Sequence, residues 1–258
     1  MRPARGGAGG GARKARGARA GGRGRPRRGE PAGPPPARGP GVTLETGVRF
    51  PSEGAELEGR LHVPGGENPV PGVVVCHPHP LHGGSMSVPV VKAVARALAE
   101  RGVATLRFNF RGVGRSTGAY DEGEGEVDDA VAAAAFLAAQ PGVDPGRVGL
   151  VGYSFGAWVG GRAADRIPGL RALVAVAPPL ERLPLEAWTR IAAPKLALVG
   201  DRDDYCPLDR FEFWYAALPD PKERRVLPGA DHLLGGREGE VAGAAAAFLD
   251  RHLKENPG

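Results

Sequence analysis

A chain of 258 residues, 41% hydrophobic and 24% charged, has room for one large core, and no apolar run in it reaches the ~18 residues that a bilayer span needs. The net charge of +5 is unevenly placed: residues 1–41 hold ten Arg and one Lys against Glu30 alone, so that segment is +10 and residues 42–258 carry −5. The basic character therefore belongs to the N-terminal segment, and it is no ground for reading the rest as a nucleic-acid-binding enzyme.

Residues 1–41 are nearly all Gly, Ala, Arg and Pro, without an aromatic or β-branched residue. Such a segment cannot bury enough surface to offset the entropy of ordering, and the sequence predicts a disordered tail before a domain at 42–258. A basic arm that touches nucleic acid is one reading of it. The absence of stacking aromatics favours a dispensable extension instead. Cys76 and Cys206 form no disulfide framework and predict reduced thiols in a cytoplasmic protein.

From Val42 the pattern turns to strands. Val42–Phe50 and Glu56–Val63 alternate as an antiparallel pair around a turn at 51–54. Gly72–Cys76 is wholly apolar, as a central parallel strand is. Ser85–Arg101 has helical spacing at Val90, Val91, Val94, Ala95 and Leu98. Val103–Phe108 reads as a strand, Gly125–Gln140 as a helix and Arg147–Val151 as a strand. Leu170–Val176, Pro194–Val199 and Glu223–Leu227 are further strands. Leu208–Leu218 and Glu238–Leu253 are helices. The alternation specifies an α/β fold: an eight-stranded, mostly parallel sheet with helices on both faces. Only seventeen residues, Ala177 to Ala193, part the sixth strand from the seventh, so any cap there is minimal.

The chemistry concentrates in Gly152-Tyr153-Ser154-Phe155-Gly156, which lies between a strand and a helix. That is the context of a nucleophile elbow, with small residues two before and two after the serine. Ser154 needs a base, and His232 supplies an imidazole after the strand ending at Leu227. Asp203 lies past the strand ending at Val199 and is the candidate to orient that imidazole, ahead of Asp201, Asp204 and Asp209. The order Ser, Asp, His is the one the α/β-hydrolase fold imposes, and it brings all three to the carboxyl edge of one sheet.

An oxyanion formed at Ser154 needs two donors. The backbone N–H of Phe155 is one. The other is expected from the loop at 77–84, where Pro78 and Pro80 have no N–H, leaving His79 first and Leu81 second. His77, His79 and His82 in that loop raise a metal site, but no helical ligand frame or neighbouring carboxylate accompanies them, and no metal is expected. Arg111 and His77 are candidate substrate-binding residues; the alternatives are that Arg111 pairs with Asp121 or Glu122 and that His77 supports its loop. The run Arg111 to Ser116 lacks the third glycine of a nucleotide-binding turn. Tyr153 and Trp158 read as packing residues.

The segments His77–Met86, Arg107–Ser116, Gly152–Gly156, Gly200–Asp203 and Gly229–His232 resemble those of small, capless bacterial α/β-hydrolases, broadly described as predicted esterases, over residues 42 to 258. The resemblance implies a Ser154–His232–Asp203 triad. The usual His-Gly oxyanion loop of that family is replaced here by His77-Pro78. The expected activity is cleavage of small carboxylic esters through an acyl-enzyme on Ser154, without a cofactor, with thioesters, lactones and amides open to the same machinery. The expected partner is a small-molecule ester rather than a membrane or a nucleic acid, with homo-oligomerisation left open. A non-catalytic scaffold of the same fold is the competing reading.

Overall fold

The computed structural model describes residues 45–254. The predicted tail at 1–41 lies outside them. The elements run β1 (Thr46–Ser52), β2 (Ala55–His62), β3 (Val70–Cys76), α1 (Pro89–Ala99), β4 (Ala104–Phe108), α2 (Glu124–Ala138), β5 (Val143–Tyr153), α3 (Phe155–Ala163), β6 (Leu170–Val176), β7 (Lys195–Gly200), α4 (Leu208–Ala217), β8 (Lys222–Leu227) and α5 (Glu238–Lys254). The eight strands form one sheet in the order β1-β2-β4-β3-β5-β6-β7-β8. β1 pairs antiparallel with β2 and β2 with β4, and the remaining neighbours are parallel.

Burial explains which strands alternate. β3, β4 and β7 are covered on both faces and are apolar almost throughout. β2 buries Leu57, Gly59 and Leu61 and turns its other residues outward. β8, at the opposite edge, carries Lys222, Glu223, Arg224 and Arg225, charges that discourage pairing with another chain.

Successive residues of the central strands feed opposite layers. Val73, Val75, Val151 and Val174 pack with Val91, Val94 and Leu98 of α1 and Val241, Ala245 and Leu249 of α5. Val74, Leu106, Phe108 and Leu150 pack with Ala130, Ala134 and Leu137 of α2 and Val159 of α3. The alanines of α2 let it lie close to the sheet. Gly72 beneath it is closely covered: a Cβ there would stand 3.1 Å from Leu137 and 3.0 Å from Val143, and those side chains would have to give way.

Three boundaries differ from the sequence expectation. Pro51 and Ser52 belong to β1, paired with Glu56 and Ala55, so the turn shrinks to Glu53-Gly54. α1 begins at Pro89 rather than Ser85, because proline fixes the first helical turn and Pro80–His82 forms its own 3-10 turn upstream. β5 starts at Val143, directly after Gly142, and pairs with β3 through an irregularity near Val70.

The link from β6 to β7 holds one 3-10 turn, Glu186–Arg190. Its Trp188 is buried and donates Nε1–H to the Ala157 carbonyl of α3 at 2.9 Å. Gly161 makes room for that ring, since a Cβ there would meet Trp188 Nε1 at 2.2 Å. The link is a strap held onto α3, and no lid is formed by it.

Candidate active site

β5 delivers Ser154 into a conformation that β-strands and helices do not use, φ 54° and ψ −116°. Its N–H donates to the Val176 carbonyl of β6 at 2.8 Å, which pins the turn to the neighbouring strand. The chain then enters α3 so tightly that a Cβ on Gly152 would lie 2.2 Å from the Gly156 carbonyl oxygen, and one on Gly156 would lie 2.5 Å from the Cys76 oxygen. Only glycine fits at both positions, which is the steric reason for the spacing of the motif.

Ser154 Oγ lies 2.8 Å from His232 Nε2, and His232 Nδ1 lies 2.9 Å from each carboxylate oxygen of Asp203. The Asp203 side chain is fully buried; besides the imidazole it accepts the N–H groups of Tyr205 at 2.9 Å and Cys206 at 3.0 Å. The other aspartates nearby in sequence are hydrogen-bonded elsewhere or exposed. Asp201 accepts the Gly229 N–H at 2.6 Å, Asp231 accepts those of Leu233 and Leu234, and Asp204 and Asp209 are exposed. The three residues arrive from the ends of β5, β7 and β8, as the chain order predicted.

Two tyrosines steady the imidazole. The Tyr153 hydroxyl donates to the His232 carbonyl at 3.0 Å, and burial raises its pKa, so it stays a donor. The Tyr205 ring stacks on the His232 ring with centroids 4.5 Å apart and planes 27° from parallel. Tyr153 does more than the packing expected of it. Tyr205 carried no sequence signal beyond its place two residues after Asp203.

The loop after β3 is built around His77. This ring is buried, donates Nδ1–H to the Pro78 carbonyl at 2.6 Å and accepts the Phe110 N–H on Nε2 at 3.1 Å. Burial lowers its pKa to about 4, so it is neutral near pH 7. His77 thus supports the loop and does not line the cavity, which corrects its reading as a substrate-binding residue. Both its nitrogens being taken, it has none left for a metal.

His79 lines the cavity, and its neighbours dispose of the alternative donor. The Leu81 N–H is spent on His79 Nδ1 at 3.2 Å, while the His79 carbonyl accepts from His82 and Gly84. Among the described residues, the His79 N–H has no acceptor. The Phe155 N–H opens α3 and has no acceptor within the helix. Both residues flank Ser154 on the cavity wall.

Arg111 is also corrected. Its guanidinium donates to buried Asp129 through Nε at 3.2 Å and Nη2 at 2.9 Å, and to the Glu53 carbonyl at 3.0 Å; its own N–H reaches the same carboxylate at 2.9 Å. It clamps α2 to the turn between β1 and β2, outside the cavity. Of the acids expected to pair with it, Asp121 does so at 4.0 Å from the exposed side, while the main partner, Asp129, is not among them.

A cavity of about 900 Å³ opens over Ser154. Its walls include Val88 and Pro89 at the start of α1, Leu183 of the strap, and Leu233 and Glu238 beyond His232. Arg182 of the strap lies on the same wall as Tyr205. Both cysteines are buried, and burial raises their thiol pKa values, which leaves them poor nucleophiles. No helix among the described residues is long and apolar enough to cross a membrane.

The family described as X-Pro dipeptidyl-peptidase (S15 family) matches residues 53–190, and one described as PhoPQ-activated pathogenicity-related protein matches residues 166–257. A Rickettsia prowazekii protein, RP471, is 31% identical over 211 residues, covering 78% of this chain and 87% of its own. Among solved structures, an alpha-beta serine hydrolase homologue from Coxiella burnetii superposes with a TM-score of 0.72 at 35% identity, over 80% of this chain and 98% of that one. XC6422 from Xanthomonas campestris, a serine hydrolase without a lid, gives 0.72 at 32% identity over 84% and 98%.

Proposed function

We propose, from the premise that this chain belongs to the S15 family and is a small, lidless α/β serine hydrolase, that it cleaves small carboxylic esters through an acyl-enzyme on Ser154. The observation that carries the reading is the unbroken hydrogen-bonded line from Ser154 Oγ through His232 to buried Asp203.

In this reading His232 Nε2 takes the Ser154 proton as Oγ attacks the ester carbonyl carbon. Asp203 holds the Nδ1 proton and stabilises the imidazolium that forms. The developing oxyanion is received by the N–H groups of Phe155 and His79. The imidazolium returns its proton to the leaving alcohol. A water, deprotonated by His232, then attacks the acyl-enzyme, and the acid departs as Ser154 is reprotonated. The short strap leaves the mouth open, which suits small substrates of varied shape.

Amide hydrolysis is a second reading, favoured by the peptidase description of the matching family. The same groups serve it, with the imidazolium protonating an amine in place of an alcohol.

Fluorophosphonate labelling read by intact mass tests the proposal, alongside a p-nitrophenyl ester series and an X-Pro p-nitroanilide. One adduct on the parent, none on Ser154→Ala and ester turnover are expected, with kcat for Ser154→Ala down by about 10^6. Turnover of the anilide in preference to every ester would move the assignment to amides. An unlabelled, inactive parent would sink both.

A further inference from the structure

Arg182 is the only arginine or lysine lining the cavity among the described residues, and it makes no ion pair there. Its neighbour Glu181 pairs with Arg210 at 3.0 Å instead of with Arg182. The main chain is held in place: the Arg182 N–H donates to the Pro179 carbonyl at 2.9 Å, and the Glu181 N–H to the Tyr205 carbonyl at 3.0 Å. The guanidinium carbon sits 5.2 Å from the centroid of the Tyr205 ring, and that ring stacks on His232. Arg182 is thus two ring contacts away from the base that faces Ser154.

A guanidinium stacked on an aromatic face keeps its in-plane N–H edge free, and that edge matches a carboxylate with two parallel hydrogen bonds. Glu238, at the start of α5 on the Tyr153 side, gives the cavity a negative pole away from the strap. A carboxylate is repelled from that side and drawn to the other. His79 is held neutral by burial and by His82, and so does not add a second fixed positive charge.

We infer that Arg182 is an anion subsite and that the preferred substrates are half-esters of dicarboxylic acids, the free carboxylate on Arg182 and the ester carbonyl at Ser154. The inference rests on the serine-hydrolase reading above and narrows its substrate class.

The test compares kcat/KM of the full chain for monomethyl esters of dicarboxylic acids, from succinate to suberate, with methyl esters of the monocarboxylic acids of equal length. The expected result is a preference of about tenfold or more for the half-ester at one or two chain lengths, weakened by added salt. Arg182→Gln should lower the ratio of half-ester to neutral ester by about tenfold, and Arg182→Lys by less. A parent that hydrolyses the neutral esters as well or better, or a ratio that Arg182→Gln leaves unchanged, overturns the inference. Fluorophosphonate labelling of the same samples separates the two levels. Labelled protein without carboxylate preference overturns this inference alone, and unlabelled, inactive protein overturns the hydrolase reading with it.

Discussion

His77 and Phe110 join two neighbouring strands beneath the cavity: the imidazole at the end of β3 accepts, on Nε2, the N–H of a residue just past the end of β4, at 3.1 Å. The Nδ1–H donates to Pro78, so the two partners fix a single neutral tautomer. A proton added to Nε2 would set one N–H against another.

That conflict predicts a pH dependence of stability. Burial holds the folded pKa of His77 at about 4 against 6.5 for the free side chain. Between those values the unfolded chain binds the proton and the folded one does not. The stabilisation is therefore fully present above pH 6.5 and is lost as pH falls towards about 4, by about 3 kcal/mol in all. Urea midpoints across that window should fall more steeply for the parent than for His77→Gln; parallel curves would refute the buried neutral assignment.

Arg111 and Asp129 predict a large cost confined to folding. Asp129→Asn leaves a guanidinium nine-tenths buried with the exposed Asp121 carboxylate, 4.0 Å away, as its remaining ion-pair partner, and unfolding free energy should drop by about 3 kcal/mol. Urea denaturation measures the loss. KM for the ester series, taken where the variant is folded, should stay within about twofold of the parent, because the substitution removes no contact to the substrate. A large rise in KM with stability intact would return Arg111 to the substrate.

Gly156→Ala tests the steric account of the elbow. The new methyl would meet main-chain oxygens of Cys76 and His77, at 2.5 Å and 2.8 Å, and neither can move without shifting β3. A destabilisation of about 1–3 kcal/mol is expected in thermal or urea unfolding, with slower fluorophosphonate labelling of Ser154. Labelling at the parent rate would mean that the turn adapts.

Tyr153→Phe removes one hydroxyl and keeps the ring. The lost bond to the His232 carbonyl should lower kcat by about three- to tenfold, with KM nearly constant, since that bond steadies the base and does not touch substrate. Steady-state kinetics on one p-nitrophenyl ester decides it, and a KM effect alone would contradict the positioning role.

Much of this arrangement is legible in the chain because strand ends announce themselves. Ser154, Asp203 and His232 each follow a short apolar run, and the fold brings such ends to one edge. Partnerships across the fold are harder to read. Asp129 is one acid among several on a helix whose alanines blur its inner face, and the carboxylates nearer in sequence, Asp121 and Glu122, yield only the longer, exposed pair with Asp121. Tyr205 and Arg182 owe their roles to a stack formed only when the strap and the loop after β7 meet. The start of α1 differs from the expectation for a local reason, the apolar spacing extending upstream of the proline that sets the first turn.

The strap between β6 and β7 leaves one strand and returns to its immediate neighbour, and it is pinned where the Glu181 N–H meets the Tyr205 carbonyl, where the Leu185 carbonyl accepts from Trp214 and where Trp188 docks on α3. Its two ends are therefore anchored independently of its length. Because lengthening a loop costs only about 0.6 kcal/mol per doubling, extra sequence placed on the exposed stretch around Pro184 can be carried without disturbing the register of the sheet. The position acts as a socket: a new element set there would adjoin Arg182 and Leu183, which line the cavity over Ser154, so a change of substrate range by insertion needs no change to any strand or to any residue of the hydrogen-bonded line.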